Sequence, residues 1–349
     1  MLSKDLAIQV AVVGVGYMGR KHAETYRALP GATLVAVVDT NIDRARQVAQ
    51  ECGCIGYASV AQLLKHHPEL QAASIAVPTI YHTQVAELLI GHGIACLIEK
   101  PLASSTRQAE LIAALADRER AIVQVGLVER FNPAIRAVRR LHLKPLMIKA
   151  DRVSRMPFRS LDIDVVLDVM IHDLDLALLF TGSGVDGIEI EARGLALENQ
   201  AEHICTARLL FPGGCMADLN ASRIALTSKR EIRIFTKEFY ISIDCRKKKA
   251  FLIREADYLK GLDIARRMSE AGQEITDLRF RELVRVQDLV SPEEEAQDAL
   301  TLELDGFLTS VRQQQRPEVD LQAGLKTLAL AEQVVEAMRS AKVAIGTTD

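Results

Sequence analysis

Through the first third of the chain, short runs of consecutive apolar residues alternate with stretches in which apolar positions recur every three or four residues. "IQVAVVG", "TLVAVVD", "AASIAV", "IACLIE" and "AIVQVGL" are of the first kind; "MGRKHAETYRAL", "DRARQVAQEC", "TQVAELLIGHG" and "TRQAELIAALADRER" are of the second. Unbroken apolar runs suit parallel strands buried on both faces, and the longer spacing is that of amphipathic helices. Their alternation, with short connections, predicts a doubly wound parallel sheet of the α/β class.

The second half has another rhythm. After the amphipathic "FNPAIRAVRRLH", the runs "GIEIEARGLAL", "HICTARLLF", "CMADLNASRIA", "EIRIFT" and "FYISI" follow closely, with turn signals at Gly187 and Pro212-Gly213-Gly214. Such spacing predicts a large, mostly antiparallel open sheet in an α+β domain. Helical patterns return around 294–313 and 321–341. The expected division is a first domain over 1–126 and a second over 127–349.

Between these halves lies "DVVLDVMIHDLDLALLF", residues 164–180, which is apolar almost all round and therefore interior as a helix. Even so, Asp164, Asp168, His172 and Asp175 fall within an arc of about 80° at α-helical geometry. Asp173 points the other way and reads as structural. Asp164, at the expected helix start, reads as a cap.

Composition narrows the class. The 349 residues carry a net charge of −3, too balanced for nucleic acid or an acidic membrane as partner. The basic run Arg246–Lys249 sits between "FYISI" and "AFLI" and reads as a solvated hairpin turn. Six scattered cysteines, without a CxxC pair, suit a reducing cytoplasm and give no zinc spacing. No run approaches the roughly 18 apolar residues of a membrane span.

The chemistry begins at "VVGVGYMG". Gly14, Gly16 and Gly19 form GxGxxG between a strand and a helix, and Asp39 ends the next strand twenty residues after Gly19. Gly14 permits the tight turn, Gly16 lets a pyrophosphate reach the backbone, and Gly19 lets the helix pack on the sheet. Tyr17 and Met18 complete the loop. Asp39 accepts hydrogen bonds from ribose hydroxyls and repels a 2′-phosphate, so NAD is expected rather than NADP. Arg44 reads as a solvated helix-face arginine.

"LIEKPLA" places Glu99, Lys100 and Pro101 at a strand end, on the side where open α/β sheets bind ligands. With "VGVGYMGRKHAETY", "AVPTIYHTQVAELLIGHG", "VGLVERFNPAI", "DVVLDVMIHDLDLALL" and "LELDGFLTSVRQQQRPEVDLQAGLKTLALAEQVVEA", the chain resembles the Gfo/Idh/MocA family of nicotinamide-dependent sugar oxidoreductases. The resemblance implies that Lys100 is the active-site lysine and that Asp168 and His172 are the catalytic carboxylate and histidine. It also implies that Glu99, Pro78, Thr79 and His82 lie near the cofactor, and that Asn132 contacts the reacting sugar. The residue types suit this chemistry. Histidine can take a hydroxyl proton near neutrality, an aspartate one turn away can orient it, and a lysine can stabilise developing negative charge. Either Lys100 or His172 removes the proton, and His172 is preferred. Asp175 either touches substrate or locks His172. Nothing in the pattern requires a metal.

Arg152, Arg155 and Arg159 precede the catalytic helix, and guanidinium groups suit an anionic substrate. This arginine-rich approach is similar to the family branch of UDP-N-acetylglucosamine 3-dehydrogenases, which implies oxidation of the sugar C3 hydroxyl by NAD. Two alternatives stay open: an NAD-dependent glycosidase of the same superfamily, and a non-catalytic sugar or nucleotide sensor. The resemblance further implies a homodimer or homotetramer that covers the outer face of the second sheet.

Overall fold

The computed structural model describes residues 7–155, 163–196, 201–255 and 284–345, without the side chains of residue 255 and residues 342–345. The chain forms two compact units. One comprises Met1–Phe131, Val166–Asp175 and Gln297–Glu336; the other comprises Asn132–Val165, Leu176–Ala296 and Ala337–Asp349. Where the sequence suggests one boundary near residue 126, two later segments return to the first unit.

The first unit holds strands β1 (Ile8–Val13), β2 (Ala32–Val38), β3 (Ile55–Tyr57), β4 (Ala72–Ile75), β5 (Ala95–Glu99) and β6 (Val123–Gly126). All are parallel, in the order β3-β2-β1-β4-β5-β6. This is the strand order of dinucleotide-binding sheets, whose direction of winding reverses between β1 and β4. Between the strands lie α1 (Tyr17–Ala28), α2 (Ile42–Cys52), α3 (Val60–His66), α4 (His82–Ile90) and α5 (Thr106–Glu119).

Successive strand residues explain the unbroken apolar runs. Val10, Val12, Val37 and Leu97 pack on one side with Tyr26 and Val48. Ala11, Val13, Ile75 and Ile98 pack on the other with Leu63, Leu89 and Ile112. Both sides of each strand are thus core. Side chains start several helices: Asn41 caps α2, Ser59 caps α3 and Ser105 caps α5. The three-residue β3 and the α3 that follows are too short to stand out as periodic patterns.

In the second unit, α6 (Pro133–Arg139) precedes an eight-stranded sheet of β7 (Met147–Val153), β8 (Glu189–Ala196), β9 (Glu202–Leu210), β10 (Met216–Ser222), β11 (Lys229–Phe235), β12 (Tyr240–Asp244), β13 (Lys249–Glu255) and β14 (Val284–Asp288). Its order is β14-β13-β12-β11-β7-β10-β9-β8, antiparallel except where β7 meets β10. The basic run forms the β12–β13 turn, with Asp244 Oδ1 accepting from the N–H groups of Arg246 and Lys247, each at 3.0 Å. The helices α7 (Ile171–Thr181), α8 (Pro292–Glu295), α9 (Ala299–Gln313) and α10 (Leu321–Ile345) complete the chain. The sequence groups the last two with the second domain. In the structure α9 belongs to the first unit, where Leu304, Phe307 and Leu308 join the core beside Tyr26.

Candidate active site

The glycine loop lies at the reversal point between β1 and β4. Gly14 has φ +85°, and a Cβ there would lie 2.7 Å from the Ala76 and Val77 main chain. A Cβ on Gly19 would lie 1.7 Å from the Gly14 carbonyl oxygen. These two glycines therefore fold the loop onto itself. Gly16 is different: a Cβ there meets nothing within 4 Å. Its open side is the space a diphosphate needs. Gly16 also precedes α1 without any side-chain cap, unlike the residues before α2, α3 and α5. No Gly16 side chain caps the first turn of α1, the kind of helix start that receives an anion.

Asp39 follows β2, accepting from Val15 N–H through Oδ2 at 3.1 Å and from Asn41 N–H through Oδ1 at 2.9 Å. These bonds fix a carboxylate at the edge of the loop. Arg44 is not solvated alone: its Nη1 lies 3.7 Å from Asp39 Oδ2. Tyr17 is exposed, with Lys21 Nζ 4.5 Å from its ring centre, and Met18 is half-buried. An open, uncapped helix start beside a fixed carboxylate fits NAD.

Pro78 leads into a 3₁₀ turn, Thr79–Tyr81, ahead of α4. His82 is 1% exposed. Its Nδ1 lies 3.0 Å from the Pro101 carbonyl and 3.3 Å from that of Leu102, and its Nε2 lies 3.0 Å from that of Val77. Burial lowers its basicity against the pull of those carbonyls. The ring ties the loop after β4 to the loop after β5. Main-chain carbonyls thus engage both nitrogens of this residue, expected near the cofactor.

Glu99 closes β5. Its Oε1 lies 2.9 Å from His22 Nε2, and its Oε2 accepts the Lys100 N–H at 3.2 Å. Burial alone would raise its pKa, but His22 and Lys100 hold it below the ordinary carboxylate value. His22 and the Lys100 N–H thus engage the two oxygens of this residue, expected near the cofactor.

Lys100 and Asp168 come together although 68 positions separate them. Nζ of Lys100 donates to the main-chain oxygen of Asp168 at 2.5 Å and to Oδ1 at 3.3 Å. Both side chains keep some solvent access, 19% and 25%. Asp168 does not sit in the α-helix its periodicity predicts: Val166–Met170 is a π-helical turn, and α7 begins at Ile171. Here main-chain bonds run from i to i+5, which alters the ladder at Asp168. His172 follows in the first turn of α7, half-buried.

Other expected residues have structural work. Asp175 is 1% exposed, gripped by Arg130 through two bonds and by the Thr327 hydroxyl at 3.0 Å. Both oxygens of a residue expected either to touch substrate or to lock His172 are thus engaged by these partners. Asp173 is also buried. Asn132 caps α6, its Oδ1 accepting the Ala134 N–H at 3.1 Å while its Nδ2 donates to the Cys245 carbonyl at 2.9 Å. Both ends of an amide expected near the sugar thus bind main chain of the second unit. Asp164 precedes the π turn, and its partners are the Glu202 N–H at 3.4 Å and Arg339 at 3.6 Å. Arg152 is buried on β7, and the exposed Arg155 donates from Nε to the Leu226 carbonyl at 2.9 Å. Arg159 lies outside the described residues.

Arg130 and His22 escape the sequence reading although their motifs, "VERFNPA" and "GRKHAETY", stand out. A buried charge shows its role only through a partner distant in the chain.

Comparison with known proteins agrees with this geometry. Residues 8–127 match the NAD-binding Rossmann domain of the Gfo/Idh/MocA oxidoreductase family, and residues 150–242 match its C-terminal domain. A UDP-N-acetylglucosamine 3-dehydrogenase of Acidithiobacillus ferrooxidans is 34% identical over 328 residues, 94% of this chain and 96% of that protein. A solved structure of a UDP-N-acetylglucosamine 3-dehydrogenase from the same species superposes with a TM-score of 0.84 at 32% identity, covering 96% of this chain and 98% of the other. A scyllo-inositol 2-dehydrogenase (NAD(+)) of Bacillus subtilis is 29% identical over 62% of this chain and 67% of its own. The chain belongs to the Gfo/Idh/MocA family of NAD-binding oxidoreductases.

Proposed function

We propose that this enzyme oxidises a secondary hydroxyl of a nucleotide sugar, the C3 hydroxyl of UDP-N-acetylglucosamine, to the 3-keto sugar. The observation that carries the chemistry is the Lys100–Asp168 pairing at the end of β5, in the same unit as the glycine loop. Similarity to a 3-dehydrogenase of this sugar over 94% of the chain supports the substrate.

Bound NAD supplies an acceptor for the hydride that leaves the carbinol carbon. The chain has to manage the hydroxyl proton and the charge that develops on oxygen. Lys100 can donate to that oxygen and stabilise it as negative charge builds. Asp168 holds the Lys100 ammonium through two contacts, so the donor is oriented before substrate binds. His172 takes the proton as general base. The hydride and the proton then account for both hydrogens removed from the CH–OH group. Arg155 and Arg159 are proposed to meet the phosphates, since guanidinium groups bind them in two-pronged fashion.

We also propose a cytoplasmic homodimer or homotetramer, to be checked by light scattering at micromolar concentration. Among the described residues, no helix is long and apolar enough to cross a membrane. The substrate assignment is tested by NADH formation with UDP-N-acetylglucosamine, its uronate, UDP-glucose and inositol. UDP-N-acetylglucosamine should lead by at least about tenfold in kcat/KM, one decade being about 1.4 kcal/mol of transition-state binding. Equal or higher rates with inositol would discard it.

A further inference from the structure

On the face of the first sheet that carries α1 and α9, polar side chains are buried beneath the end of β5. His22, Ser74, Gln124 and Glu303 are at 0% exposure, and Glu99 is at 8%. Some of their bonds are complete. Tyr26 and Ser74 share a hydrogen bond of 2.9 Å, and Gln124 Nε2 donates to the Glu303 main-chain oxygen at 3.1 Å. His22 Nε2 meets Glu99, which in turn accepts the Lys100 N–H. Other atoms are buried without a partner: His22 Nδ1, Gln124 Oε1 and both carboxyl oxygens of Glu303.

Such atoms are costly in an interior, and these are complementary in kind. Glu99 on β5 and Tyr26 on α1 lie within electrostatic reach of Glu303, Gln124 on β6 binds its main chain, and His22 and Ser74 join the same buried group through Glu99 and Tyr26. If His22 donates from Nε2 to the Glu99 carboxylate while neutral, its Nδ1 is a bare acceptor. A protonated Glu303 has an O–H in need of an acceptor. A water with two to four polar partners is the usual bridge in such a site.

We propose that Glu303 is a neutral acid which donates through one buried water to His22 Nδ1, fixing the tautomer that offers Nε2–H to Glu99. Glu99 is thereby held as the single anion behind the Lys100 main chain. Glu303 and His22 are positioning residues for Lys100, acting through Glu99. Charge agrees with this geometry: burial, with the neighbouring Glu99 charge, raises Glu303 well above the ordinary carboxylate range.

The inference rests on the role proposed for Lys100, so its first test does not use activity. In the unfolded chain Glu303 ionises near the ordinary pKa of about 4.3, whereas in the folded chain it keeps its proton. The stability of the wild type therefore falls, relative to E303Q, as pH rises above that value. Urea unfolding at rising pH above 5 should show the folding equilibrium weakening against E303Q, with a limiting slope of about tenfold per pH unit for as long as folded Glu303 keeps its proton. The infrared carbonyl band of a neutral carboxylic acid should be present in the wild type and lost in E303Q. A pH-independent ratio, or no such band, overturns the proposal.

The second test reads positioning. E303L should lose about tenfold in kcat with unchanged NAD affinity, and E303Q, which keeps a neutral donor, should recover most of that loss. Equal kcat in the wild type and E303L overturns the positioning role. If E303L fails to fold, H22Q and H22F ask the same question, because only glutamine keeps a donor toward Glu99. Equal kcat in that pair also overturns it. Failure of the wild type to oxidise any nucleotide sugar would sink the substrate reading, yet leave the unfolding and infrared results standing.

Discussion

Arg130 binds Asp175 through two parallel bonds, Nε to Oδ2 at 2.8 Å and Nη2 to Oδ1 at 2.5 Å. The pair is nearly dry, at 10% and 1% side-chain exposure, and it anchors the segment that carries Asp168 and His172. Removing one partner leaves the other charge buried. D175N should therefore lower stability by about 3 kcal/mol or more in urea unfolding. The double variant R130M/D175L, which removes both charges, should recover much of that loss. Simple additivity of the two single losses would count against a buried pair.

The glycines should separate folding from binding. G19A forces a Cβ against the Gly14 carbonyl oxygen and should destabilise the free enzyme by at least about 2 kcal/mol, as overpacking does. G16A meets open space and should leave the melting temperature nearly unchanged while weakening NAD binding at least about tenfold. Calorimetry on both variants checks this, and a stable G19A would remove the argument from close approach.

Asp39 should decide between the two nicotinamide cofactors. D39S removes the charge that would oppose a 2′-phosphate and should raise the NADP:NAD ratio of kcat/KM about tenfold or more, the scale of one exposed charge pair. An unchanged ratio would mean that Asp39 serves only the Val15 and Asn41 N–H groups.

Replacement of Lys100 should act on the chemical step. K100M should reduce kcat by about 10²–10³, the usual loss for one donor to a developing oxyanion. Dissociation of NAD, followed by fluorescence, should change less than about threefold. D168N keeps the main-chain carbonyl that Lys100 also uses and should cost less than K100M.

His172→Ala should lower turnover by about 10²–10⁴, the range for a general base, with NAD affinity little altered. The acidic limb of the wild-type pH–rate profile should disappear in the variant. Parallel losses of turnover and NAD affinity would transfer the base role to Lys100.

The doubly wound sheet was legible because its strands are buried on both faces and so carry no polar alternation. The strand–glycine loop–helix order and the place of Glu99-Lys100 at the end of β5 were legible because a backbone turn restricts the residues, whereas the π turn at Asp168 was not. Less could be read where a side chain's use depends on a distant partner. Asp175 read as a substrate contact or a lock on His172 because Arg130 and Thr327 lie 45 and 152 positions away. His82 stood in a cofactor motif, but its nitrogens serve main-chain carbonyls from two loops. The placement of α9 in the first unit was hidden as well, since its apolar stripe does not say which sheet it covers. Glu303 gave no signal, because a lone glutamate on an amphipathic helix reads as solvated.

The π turn at Val166–Met170 gives the helix a surplus of one residue over the α-helix it interrupts. Loss of Val169 or Met170 from that turn would let the helix run regular. Every side chain before the deletion would then swing by about 100° relative to those after it. The apolar pattern from Ile171 onward would survive, and so would the grip of Arg130 on Asp175. Asp168 would turn away from Lys100 while His172 stayed where it was. A chain one residue shorter could thus fold, bind its dinucleotide and still be unable to turn over: the aim of the reacting pair is stored as length, not as composition.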